Sequence, residues 1–92
     1  MKLIDLLVQE LPKHGGWPEH VNYIAQDAGG LSKGKVYGYV QEPDKCAYYW
    51  LNADENDHSG YGEEILRWVR VTDDCKDVFV SREQYERATQ PA

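Results

Sequence analysis

Phenylalanine is nearly absent from this 92-residue chain: one Phe, Phe79, stands against seven Tyr and three Trp. Almost every ring therefore carries a polar atom that needs a partner or water, which argues against a purely hydrocarbon aromatic core and suits a surface that binds. Cysteine is scarce too. Cys46 and Cys75 form no CxxC and have no second pair, so neither a zinc site nor a disulfide framework is expected, and reduced thiols in a cytosol are the default. Long hydrophobic runs are missing. Leu3 to Val8 is interrupted by Asp5 and followed by Gln9, Glu10 and Pro12, whereas a signal peptide takes about 7 to 15 continuous apolar residues and a membrane span about 20. A soluble, intracellular protein is expected. Positive charge is also in deficit, with 10 Lys and Arg against 16 Asp and Glu and a net charge of -6. Such a field repels phosphate backbones, so direct nucleic-acid binding is not expected and a basic protein surface is the better partner.

What is present organises into one domain, residues 1–92. Apolar positions 3, 4, 6, 7, 8 and 11 make a helical stripe that Pro12, Gly15, Gly16 and Pro18 terminate, with Trp17 expected to pack back on the helix. Asn22 to Ala28 and Lys35 to Gln41 read as two strands of a hairpin around Gly29, Gly30, Ser32 and Gly34. In the second, Val36, Gly38 and Val40 alternate with Tyr37 and Tyr39. Cys46 to Leu51 reads as a third strand, Ile65 to Thr72 as a fourth with Trp68 and Arg70 on one face, and Val78 to Val80 as a brief further one. Ser81 and Gln84 have the spacing of a capping box, which places a last helix from about Arg82 with Tyr85 and Ala88 facing the core. The expected fold is α+β: an N-terminal helix, a meander of about four antiparallel strands and a C-terminal helix, both helices on one face.

Leu3-Ile4-Asp5-Leu6-Leu7-Val8-Gln9-Glu10-Leu11-Pro12-Lys13 followed by Gly15-Gly16-Trp17-Pro18-Glu19, Ala25-Gln26-Asp27, and Val80-Ser81-Arg82-Glu83-Gln84-Tyr85-Glu86 together resemble the opening, first strand and ending of small uncharacterised accessory proteins of tailed phages and enterobacterial prophages. The resemblance covers roughly a third of the chain, and His20 departs from its pattern. It implies a phage accessory gene expressed in a bacterial cytoplasm and brings no catalytic residue with it. The shared motifs are a helix, a turn and a capped helix, so function is expected in the divergent middle.

Catalytic and metal chemistry find little support. Counting from Asn52, Asp54, Asn56, His58 and Glu63 fall at calcium-loop positions 3, 5, 7 and 12, but Asp57 stands where the sharp turn needs Gly and the flanks read as strands. His14, His20 and His58 lack ligand spacing, and Cys75 lies in an acidic turn that disfavours a thiolate. Gly29, Gly30 and Gly34 are followed by no Gly-Lys-Ser/Thr, so they read as turn glycines without a phosphate role. The adjacent pairs Glu63, Glu64 and Asp73, Asp74 point opposite ways on an extended chain and read as solvated. No cofactor, no metal and no enzyme activity are expected.

The remaining signal is a binding surface. With helices on one sheet face, the other is expected to present Tyr37, Tyr39, Trp50 and Trp68 beside Arg70, flanked by the acidic segment carrying Asp54, Glu55, Asp57, Glu63 and Glu64. The expected function is an acidic protein-binding module that modulates a host protein through its basic, nucleic-acid-binding surface. The alternatives are a homodimeric assembly protein that pairs through the aromatic face and a small-ligand or calcium binder.

Overall fold

In a computed structural model of the chain, residues 1–46, 49–51 and 63–90 are described. The leucine stripe folds as α1, Leu3–Glu10, and runs into a single 3₁₀ turn, Leu11–His14, that accommodates Pro12 near its start and closes on Gly15 in the left-handed region. Lys2 offers α1 no side-chain cap. Asp74 supplies it from the far side of the chain, its Oδ1 accepting the Leu3 N–H at 2.8 Å, while the Asp73 amide donates to the Met1 carbonyl at 2.9 Å. The Asp73 carboxylate sits on the Met1 amino group. Asp73 is exposed as expected while Asp74 is half-buried, and both hold the end of a helix.

The strands are β1 (Tyr23–Gln26), β2 (Val36–Tyr39), β3 (Asp44–Cys46), β4 (Tyr49–Leu51), β5 (Glu63–Leu66) and β6 (Val80–Ser81); the last helix is α2 (Arg82–Thr89). Four of them form an antiparallel sheet in the order β5-β2-β1-β6. The α+β architecture is the expected one, but the sheet is not a sequential meander. The expected third strand is divided: β3 and β4 pair only with each other, Asp44 opposite Leu51 and Cys46 opposite Tyr49, and make a separate hairpin. The expected fourth strand stops at Leu66, and within it Val36 pairs with Leu66 while Tyr37 pairs with Glu64, leaving Ile65 as a bulge. β6 takes the fourth place in the sheet.

Each sheet face has its own core. Ile24, Val36, Leu66 and Val80 meet Leu3, Leu6 and Leu7 of α1, Leu11 of the 3₁₀ turn and Tyr85 of α2, so both helices lie on one face. Gly38 belongs to this face, where an added Cβ would stand 2.6 Å from Ile65 and 2.8 Å from Val21. Trp17 packs against the same cluster, which contains the α1 leucines, and its ring also stands 5.3 Å from that of Tyr85 of α2. The capping box is formed, with Ser81 accepting from Gln84 N–H and Gln84 accepting from Ser81 N–H. Ala88 departs from expectation and faces solvent. The opposite face buries Ala25, Tyr37, Tyr39 and Trp50, with Tyr23 and Phe79 packed against them. Among the described residues no helix is long and apolar enough to cross a membrane.

Candidate functional site

The aromatic sheet face expected to be open is closed. Tyr37 is 9% exposed, Tyr39 1% and Trp50 4%. The cause is the β3–β4 hairpin, which folds over that face and lays Trp50 on it. Every polar atom Trp50 brings inside is matched: Nε1 donates to the Cys75 carbonyl at 3.0 Å, the backbone N–H donates to Asp27 Oδ1 at 3.0 Å, and the Tyr39 hydroxyl donates to the Trp50 carbonyl at 3.2 Å. Phe79, the one ring without a polar atom, stands edge-on to both Tyr23 and Trp50 at 5.5 and 5.8 Å. These rings form a second core, and the sequence reading of Tyr37, Tyr39 and Trp50 as contact residues is corrected on that ground.

Trp68 is the exception. It is 95% exposed, and its φ of +63° puts a bulky L-residue in the left-handed region, where a side chain costs roughly 1–2 kcal/mol. This break ends the strand and swings the indole off the sheet. The segment around it is held from below by Gln26, which is wholly buried at the end of β1 on the helix face. Its Nε2 donates to the Arg70 carbonyl at 2.8 Å and the Gly34 carbonyl at 3.0 Å; its Oε1 accepts from Thr72 N–H at 2.9 Å and Thr72 Oγ1 at 2.7 Å. One amide thus spends its full hydrogen-bonding capacity fastening two loops to one strand.

Those loops are the 30–34 turn and residues 67–72. At Gly34 (φ +85°) an added Cβ would lie 3.2 Å from the Val69 carbonyl, so only glycine allows the two to touch without displacement. Asp27 secures the other end of the turn, accepting from Ser32 Oγ at 2.6 Å. Burial pushes the Asp27 carboxyl up from its ordinary range, against the lowering effect of the Ser32 and Trp50 bonds. Leu31, between Gly30 and Ser32, is left fully in solvent.

Together they frame a groove of about 350 Å³ lined by Leu31, Lys33, Lys35, Arg67, Trp68 and Val69. Its lining holds three cations and no carboxylate, on a chain whose net charge is -6. Arg67 engages Glu64 through Nε alone. Trp68 also lines a second hollow of about 380 Å³, with Arg70 and Glu10 on its walls. Two large exposed apolar side chains, Leu31 and Trp68, thus stand beside three cations.

Of the residues singled out from sequence, Trp68 and Arg70 are brought together. Glu63 and Glu64 lie on β5, exposed and half-buried, the first against His20 and the second against Arg67. Asp54, Glu55 and Asp57, with the calcium-loop positions Asn52, Asn56 and His58, lie outside the described residues. No group of three or more His, Cys, Asp or Glu able to hold a metal occurs among the described residues. Cys75 is buried, and burial pushes its thiol up, away from nucleophilic use. Sequence reasoning missed Leu31, Lys33, Lys35 and Arg67. The available signal was an apolar residue inside a glycine turn, where nothing local requires one. No protein-family model, curated protein or solved structure matches the chain.

Proposed function

We propose that this chain is a non-catalytic protein-binding module, an accessory protein of phage or prophage origin that acts on a host protein, and that its contact is centred on Trp68. The observation that carries this is a tryptophan held almost wholly in water on a strained backbone, by a loop that a fully satisfied buried amide anchors. Strain retained where the surroundings over-determine it, at a residue type enriched in binding hot spots, favours a functional role over a packing one. The resemblance of both chain ends to phage accessory proteins supports the origin.

Photo-crosslinking tests it. A photoreactive residue at position 31 or 68 is expected to yield defined covalent products in host cells, and the same residue at position 86, on α2, is expected to yield none. Products that form equally from all three positions would remove the case for a docking site.

The overall charge favours a second reading, in which Glu63, Glu64 and the acidic segment before them engage a basic surface. It predicts products from position 63 that vanish at high salt, with none from position 68.

A further inference from the structure

We propose that the groove between Leu31 and Trp68 takes an acidic protein segment bearing an apolar anchor, with the apolar side chain against Trp68 and Leu31 and the carboxylates on Lys33, Lys35 and Arg67. This rests on reading the Trp68 surface as a docking site and adds the chemistry of what docks there.

Three observations converge on that occupant. First, charge: the groove is locally cationic on a molecule of net charge -6, so an anionic segment is attracted to it against the sign of the whole chain. Among the described residues Lys33 and Lys35 make no ion pair, and the terminal nitrogens of Arg67 remain beyond the Nε that Glu64 occupies. Second, size: about 350 Å³ lies near the lower end of the roughly 300–1,000 Å³ typical of ligand clefts, which suits one or two side chains of an extended segment instead of a folded face. Third, apolar surface: Leu31, Val69 and the Trp68 ring line the groove with hydrocarbon, so an apolar anchor gains more there than a wholly polar chain.

A nucleic-acid strand fits less well. It needs cations along a track of several phosphates; past Trp68 the adjoining hollow adds Arg70 but also Glu10, Glu64 occupies part of Arg67, and the chain as a whole carries a net charge of -6.

Titration calorimetry with the whole chain decides the matter. The probes are a short peptide of Asp and Glu around a Leu-Phe pair, the same peptide with Leu-Phe replaced by Ser-Ser, the same with its acids replaced by Lys, and an oligothymidylate. The first is expected to bind at least about tenfold more tightly than the other three, each of which lacks one element of the fit. Trp68→Gly and the double change Lys33→Glu with Lys35→Glu are each expected to weaken the first peptide at least about tenfold, with folding checked by circular dichroism. Tighter binding of oligothymidylate, or equal binding of the acidic and Lys peptides, would overturn the acidic-segment assignment, as would a concentration-dependent dimer that consumes Trp68. Failure of all peptides while crosslinks from position 68 persist removes the acidic partner and leaves the docking site standing; loss of both removes both.

Discussion

Trp68 shows how one side chain can work against the stability of its own fold. Replacing it by Gly relieves the left-handed strain and forfeits almost no buried area, so Trp68→Gly is expected to raise unfolding free energy by about 1 kcal/mol in a urea titration. A residue kept for packing would do the opposite. Gln26 is the converse case. Gln26→Leu preserves bulk but strands the Thr72 donors and the carbonyls of Gly34 and Arg70, and is expected to cost at least about 2 kcal/mol. Asp27 adds a pH signature. Its folded value is raised, so between the unfolded and folded values the native state holds more protons, and this group's contribution is fully present at low pH and lost as pH rises through the folded value. Asp27→Asn keeps an acceptor for the Trp50 N–H and offers Ser32 a donor. It is expected to be at least as stable as the parent at neutral pH and to flatten stability against pH in the acid range, whereas Asp27→Ala is expected to cost about 1–3 kcal/mol, with the larger cost at acid pH.

At the scale of elements, both helices, the first hairpin and the capping box were legible because each rests on a local rule: a 3.6-residue stripe, breakers between alternating runs, and a hydroxyl three residues before an amide. The division of residues 44–51 into a hairpin was not. Tyr49, Trp50 and Leu51 alternate like any strand, and only the unpaired aromatic face of the main sheet decides that they fold over it instead of extending it. The end of β5 was equally hidden, since nothing in Ile65-Leu66-Arg67-Trp68 announces a bulge and a left-handed residue. The groove depends on the second of these, since Arg67, Trp68 and Val69 form one side of it; Trp68 could be picked from composition, while Leu31, Lys33 and Lys35 on the other side could not. β2 permits a sharp check on the helix-side core. Gly38→Ala places a methyl inside contact distance of Val21 and Ile65 and is expected to lower stability by about 1–3 kcal/mol, read as a drop in denaturant midpoint with unchanged slope.

For the whole molecule, the decisive feature is that one four-stranded sheet is shared by two cores, aliphatic beneath the helices and aromatic beneath the hairpin. Neither can be lost without exposing the back of the other. Unfolding is therefore expected as one transition, with near-ultraviolet dichroism of the aromatic side and far-ultraviolet dichroism of the helices tracing coincident curves. Separate midpoints would mean that the hairpin detaches on its own.

The three indoles also sit in three different surroundings: Trp50 sealed, Trp17 half-covered and Trp68 in bulk water. The protein thus carries its own optical gauge. Collisional quenchers reach Trp68 first, so whatever settles over it shields that emission and shifts it to the blue, reporting occupancy without any label.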